Sequence, residues 1–250
     1  MAQDNTVSTP DLTDQIILVT GASRGIGRAV AIAAAAAGAE LVITGRTMGA
    51  LEETDDAIKA VGGHATIVEL DMKDFAAMPR LAAAIHQRWG RLDGMVANAG
   101  MLPALTPVPH IEAEIWDECM AVNATGQWHL IKAMDPLLRI APAGRAVLVS
   151  SGAVTSCRPF WGPYAAAKSA LEAIGRCWAG ESEQTNLRIN MIDPGGTATG
   201  MRASAFPGED PDTLPQPADI APAFLQLLDA SCRTHGAVLK ARDMIGFTAS

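Results

Sequence analysis

Short, unbroken apolar runs alternate along the chain with longer stretches in which apolar residues recur at helical spacing. The runs Ile16–Thr20, Glu40–Thr44, His64–Leu70, Gly94–Ala97, Arg145–Ser150, Leu187–Ile192 and Ala237–Lys240 predict strands buried on both faces. Between them the pattern predicts helices over Gly25–Ala37, Met48–Val61, Asp74–Trp89, Glu112–Leu138, Ala165–Trp178 and Asp219–Leu228, with Gly38 and Gly90 as stops. Repeated strand–helix units predict an α/β fold, a parallel sheet with helices on both faces. No internal repeat or linker interrupts the pattern, so residues 14–250 read as a single domain. Residues 1–13 are polar and read as a flexible tail. Residues 197–217 are rich in Pro, Gly and Asp and read as a mobile lid over a site.

In such sheets ligands bind beyond the carboxyl ends of the strands. Gly21, Asn98, Ser151 and Pro194 all stand at those ends. The first strand leads into Gly21-Ala22-Ser23-Arg24-Gly25-Ile26-Gly27, which opens the first helix. Glycines there allow a tight turn, a close backbone approach to a pyrophosphate and close helix–strand packing, and the helix N-terminus offers N–H groups to phosphates. An NAD-type site carries an acidic residue about 20 positions further on, for the ribose 2′-hydroxyl. The second strand here ends in Thr44-Gly45-Arg46, with no carboxylate. Arg46, helped by Arg24, suits a 2′-phosphate, so NADP(H) is the preferred cofactor and NAD(H) the second choice. Two solvated loop arginines are the plainer alternative. Asp71, at the end of the third strand, fits an adenine amino group or a helix cap equally well. Small residues at Asn98-Ala99-Gly100 leave room for a flat ring.

Tyr164 is the only tyrosine, and Lys168 follows it at the spacing that shares a helix face. A free phenol is a poor acid or base at neutral pH, and a nearby cation favours its phenolate. That pairing makes a general acid–base. Asn123 is a polar amide inside a predicted apolar helix, with an exposed helix position as its plainer reading. The segment between Ser151 and Tyr164 carries Cys157, Phe160 and Trp161, a candidate apolar substrate wall. Neither it nor the lid shows a charged cluster, so a small or apolar carbonyl compound is the expected substrate.

Composition removes several classes. Hydrophobic residues form 49% of the 250 positions, enough for a sizeable core. Net charge is −8, and no basic cluster suggests nucleic acid or a membrane surface. Neither the four cysteines nor the five histidines show metal-ligand spacing, so no metal is expected. Reduced thiols, no signal-peptide pattern and no bilayer-length apolar run predict a soluble cytoplasmic protein. Trp116, Trp128 and Trp178 are expected in the core or at an interface.

Taken together, Thr20–Gly27, Asn98-Ala99-Gly100, Asn123, Ser151, Tyr164-x-x-x-Lys168 and Pro194-Gly195 resemble the short-chain dehydrogenase/reductase family in order and spacing. The stretch Pro194–Pro211 is most similar to its bacterial YciK-like oxidoreductase subgroup. The resemblance covers the chain after residue 13 and implies a single doubly wound Rossmann-type domain with a parallel seven-stranded sheet. It implies Tyr164 as acid–base, with Lys168 lowering its pKa and holding the nicotinamide ribose. It implies Ser151 polarising the carbonyl and Asn123 holding a water in a proton relay. Along the cofactor it places Gly21, Ser23, Arg24, Gly25, Ile26, Gly27, Arg46, Asp71, Met72, Asn98, Ala99 and Gly100. Pro194, Gly195, Thr197 and Thr199 flank the nicotinamide. The implied activity is NADPH-dependent reduction of a ketone or aldehyde, or the reverse. A catalytically silent NADP-binding regulatory or scaffold protein is the alternative, and it would not need the Asn–Ser–Tyr–Lys set. Sugar-nucleotide epimerases share Tyr-x-x-x-Lys but usually add a C-terminal domain for which this chain has no room. The family's Asp-Gly-Gly tail is replaced by Arg242-Asp243-Met244-Ile245-Gly246. Homodimer and homotetramer both stay open.

Overall fold

β1 (Ile16–Thr20) is buried at every position, and its side chains alternate between two cores. Ile17 and Val19 point to one, Ile16 and Leu18 to the other. This is what an unbroken apolar run does when both faces of a sheet are covered. The computed structural model describes residues 10–246. β1 is followed by α1 (Gly25–Ala36), β2 (Glu40–Gly45), α2 (Met48–Ala60), β3 (His64–Glu69), α3 (Ala77–Trp89) and β4 (Gly94–Ala97). Then come α4 (Ala113–Met120), α5 (Gly126–Ile140), β5 (Arg145–Val149), α6 (Ala153–Ser156), α7 (Gly162–Gly180) and β6 (Arg188–Asp193). α8 (Gly200–Ala205), α9 (Pro217–Leu228), β7 (Val238–Lys240) and α10 (Ala241–Met244) complete the order.

The strands form one seven-stranded sheet in the order β3-β2-β1-β4-β5-β6-β7. Every pairing is parallel, with Val19 opposite both Ile43 and Val96, and Val96 opposite Val147. Helices α1 and α9 pack together over one face. Residues of α3, α5 and α7, including Met78, Leu130, Met134, Leu171 and Trp178, cover the other. Successive strands are added on one side of β1 as far as β3 and on the other side from β4 onward, and this switch in strand order opens a crevice at the carboxyl ends of β1 and β4. Thr20 and Asn98 tie that crevice shut at its base. Asn98 Nδ2 donates to the Thr20 carbonyl at 2.9 Å, and the Asn98 and Ala99 N–H groups donate to Thr20 Oγ1 at 3.0 Å.

The expected long helix over Glu112–Leu138 is broken. A π turn at Ala121–Thr125 separates α4 from α5, and the Gly126 N–H reaches the Ala121 carbonyl. A Cβ on Gly126 would lie 2.4 Å from the Met72 carbonyl oxygen, so only glycine lets α5 begin this close to the loop after β3. Asn123 sits in the π turn and is fully buried rather than exposed. π turns gather at functional sites.

The expected tail is also shorter than residues 1–13 at its inner end. Leu12 is fully buried, and its N–H donates to the Ala37 carbonyl at 2.8 Å, because the apolar pocket beside α1 takes it. Residues 1–9 of that tail, and 247–250 of the expected domain, lie outside the described residues. Residues 197–217 are built from α8, a 3₁₀ turn at Pro211–Thr213 and the Ala198 N–H to Pro215 carbonyl bond of 3.0 Å. Trp178 is core, and Trp116 and Trp128 lie on the surface. No described helix is long and apolar enough to cross a membrane.

Gly126→Ala should lower stability by about 1–3 kcal/mol, because the added methyl meets backbone that cannot yield. Urea midpoints of the two proteins check this, and an unchanged midpoint would contradict the close approach.

Candidate active site

Three consecutive residues at the end of β5 each meet one turn of α7. Lys168 Nζ donates to the Val149 carbonyl at 2.7 Å. The Ser150 hydroxyl donates to Glu172 Oε1 at 2.5 Å. The Ser151 hydroxyl lies beside the Tyr164 phenol and favours its ionised form. Positions 164, 168 and 172 recur every fourth residue, so they form one stripe along α7. α7 starts at Gly162, earlier than the apolar pattern predicts, since Pro163 stands in its first turn, where a missing N–H costs nothing. Arg176, one turn further, pairs with Glu172 at 2.8 Å and neutralises that buried carboxylate.

The electrostatics differ from the expectation that Lys168 lowers the tyrosine pKa. Burial dominates and pushes Tyr164 up to about 12, against the neighbouring Ser151 hydroxyl, which lowers it. Burial likewise pushes Lys168 down to about 8. The lysine Nζ lies 5.9 Å from the phenol ring centroid, with its proton directed at Val149. At neutral pH the phenol is therefore a held proton donor.

The amide of Asn123 is committed to its neighbours. Its Oδ1 accepts from the Met101 N–H at 2.9 Å, and its Nδ2 donates to the Met101 carbonyl at 2.8 Å and to Cys119 Sγ at 3.2 Å. A Cβ on Gly100 would stand 2.9 Å from that Oδ1. Burial raises the Cys119 thiol. The side chain of Asn123 thus clamps the loop after β4 against the π turn.

A cavity of about 350 Å³ contains Ser151, Tyr164, Lys168, Pro194, Gly195, Thr197 and Thr199. A second groove joins it through Ile26, Asn98, Gly100 and Thr199, and carries Gly21, Ser23, Arg24, Gly25, Arg46, Asp71, Met72 and Ala99. Gly27 lies beneath rather than in the groove, buried against Asn98. A Cβ there would come within 2.4 Å of Asn98 Nδ2 and of the Gly21 carbonyl. Gly21 holds φ at 66° with Ala99 pressed against it, and no side chain caps the N-terminus of α1. The N-terminus of α1, at Gly25 and Ile26, therefore opens uncapped onto this groove, as a helix that receives a phosphate requires. Asp71 proves not to cap α3. Its Oδ1 takes the Lys73 N–H at 2.9 Å, and Asp74 caps α3 through the Ala77 N–H.

A dinucleotide cradle opening onto a buried tyrosine–lysine stripe defines a nicotinamide-dependent oxidoreductase. The chain belongs to the short-chain dehydrogenase family, whose model, described as "short chain dehydrogenase", matches residues 15–210. The uncharacterized oxidoreductase YciK of Escherichia coli K12 is 40% identical over 235 residues, covering 92% of this chain and 93% of that protein. A Shigella flexneri short chain dehydrogenase, solved in complex with NADP, superposes with a TM-score of 0.90 at 39% identity. It covers 94% of this chain and 100% of its own. A short chain dehydrogenase of Escherichia coli CFT073, in complex with NADPH, gives 0.90 at 40% identity over 94% and 99%.

Three residues of the site escape sequence reasoning. Glu172 has a readable signal, its four-residue spacing from Lys168. Cys119 has the same spacing from Asn123. Arg242 has none: it reaches the Gly196 carbonyl from α10, and its Nε lies within 2.9 Å of where a Gly195 Cβ would be.

The folded pKa of Lys168, about 8, lies below its ordinary 10.5. Between those values the unfolded chain holds the extra proton, so stability rises with pH. Wild type should therefore gain on Lys168→Met in thermal midpoint as pH rises from 8 towards 10. A constant difference would contradict the buried, depressed amine.

Proposed function

We propose that the protein reduces a ketone or aldehyde to an alcohol with NADPH, and runs the reverse reaction when supplied with alcohol and NADP⁺. The observation that carries this is that Ser151, Tyr164 and Lys168 line one cavity that continues into the glycine-turn groove. The NADP and NADPH bound in the two similar structures support the choice of cofactor. Arg24 and Arg46 both line the groove, where a 2′-phosphate would meet two guanidiniums. NAD(H) would lack that contact and bind more weakly.

The cofactor, once bound, supplies the hydride. Ser151 would hydrogen-bond the substrate carbonyl and orient it. Tyr164, protonated at neutral pH, would give its phenolic proton to the carbonyl oxygen. Lys168, beside the phenol and the cavity, would hold the ribose and refill the phenol's proton. Asn123 acts by clamping Met101 and hence the wall beside Gly100, which is how it would serve a proton relay. Pro194, Gly195, Thr197 and Thr199 would bracket the nicotinamide. Residues 197–217 would move to admit substrate. Exposed Trp116 and Trp128 on the α4 and α5 side support a homo-oligomer, and the lack of an apolar spanning helix among the described residues fits a cytoplasmic location.

Tyr164→Phe should retain NADPH binding and lose about 10²-fold or more in kcat. A screen of ketones and aldehydes followed by NADPH absorbance reads this. Unchanged turnover sinks the acid–base assignment, and no turnover with any carbonyl favours the silent scaffold. NADPH should raise the thermal midpoint more than NADH does, and Arg46→Ala should narrow that difference. A larger shift with NADH would overturn the 2′-phosphate role.

A further inference from the structure

We propose that the substrate is a carbonyl compound bearing a carboxylate, and that Arg158 is the specificity-determining residue that reads it; this rests on the reductase reading above. The expected small or apolar substrate came from two segments neither of which shows a charged cluster when read separately. Folding places one arginine from each, Arg158 and Arg202, in the wall of the reaction cavity.

The charged side chains in that wall are Arg158, Lys168, Arg202 and Asp193. Asp193 lies at the inner end, where its charge raises the Tyr164 phenol and its Oδ1 accepts the Gly195 N–H at 2.9 Å. The two arginines differ in how they are held. Arg202 is locked: it makes a two-pronged pair with Glu209 at 2.5 and 2.6 Å and stacks on Phe206 at 3.8 Å. Phe206 in turn meets Trp161, whose edge meets Tyr164. Arg158 makes no ion pair among the described residues, yet its charge reaches Glu209. Arg158 thus lines the cavity wall with Arg202 without joining its pair with Glu209.

The segment carrying Arg158 is also strained. Cys157 and Phe160, neither of them glycine, hold φ at 42° and 76°. Such strain persists where surrounding structure over-determines it, and it concentrates at ligand clamps. Between the arginines and the phenol, Leu102, Trp161, Met201 and Ala205 offer apolar wall. A substrate matching this wall has a reactive carbonyl at Ser151 and Tyr164, an apolar body, and a carboxylate at Arg158. The chain as a whole carries −8, so a cationic cavity wall runs against its overall charge. Such a patch steers anions. A guanidinium holds a carboxylate through paired N–H donors.

Two matched pairs test this on the NADPH-loaded enzyme: benzoylformate against methyl benzoylformate, and levulinate against methyl levulinate. For at least one pair the acid should exceed its ester in kcat/KM by about tenfold or more, as a charge-assisted hydrogen bond predicts. Added salt should shrink the lead. Arg158→Lys should keep part of it, and Arg158→Glu should abolish it. If none of the four is reduced, the reductase reading loses support, and calorimetric binding of the same compounds to the NADP⁺-loaded protein reads the inference separately. Esters equal to or better than acids in both turnover and binding would overturn it. So would an acid preference untouched in Arg158→Glu.

Discussion

Everything at the site depends on how α7 is fastened to the end of β5. Val149, Ser150 and Ser151 meet Lys168, Glu172 and Tyr164 through a carbonyl, a carboxylate and a hydroxyl. The end of β5 and α7 touch over one short crossing. Within it, all three contacts hold at once. A shift of α7 would break them together, which ties the chemistry to the packing of one helix.

That crossing is buried, and burial sets the chemistry. A neutral phenol and a partly discharged amine are what a low-dielectric site favours. The phenol of Tyr164 keeps its proton at neutral pH. The ammonium of Lys168 is costly to keep there, and its bond to Val149 offsets part of the cost. Glu172 avoids a similar penalty because Ser150 and Arg176 satisfy both of its oxygens. Glycine does the complementary work at the groove, where Gly21 lets Ala99 press against the turn and Gly27 lets α1 sit against Asn98 beneath it.

Around this rigid centre sit parts supported from further away. The π turn and its Asn123 brace the wall after β4, and Cys119 completes the amide's bonds. Arg242 braces the loop of Gly195 and Gly196 from the end of the chain. The segments 151–164 and 197–217 meet across the cavity through Trp161 and Phe206.

Period and punctuation alone carried the order of strands and helices and the parallel sheet, because burial on both faces writes continuous apolar runs; the Rossmann-type class came with the family resemblance. The glycine turn and Tyr164-x-x-x-Lys168 were equally readable, since each is a contact between near neighbours. The tertiary structure decided what depends on distant residues. The π turn arises because Gly126 must pass the Met72 carbonyl, and nothing within Glu112–Leu138 announces that. The rise of the Tyr164 pKa is a consequence of depth, which spacing does not encode. Ser150 finds Glu172, Arg242 finds Gly196, and Arg158 comes to share a wall with Arg202 only when separate turns of chain are brought to one end of the sheet.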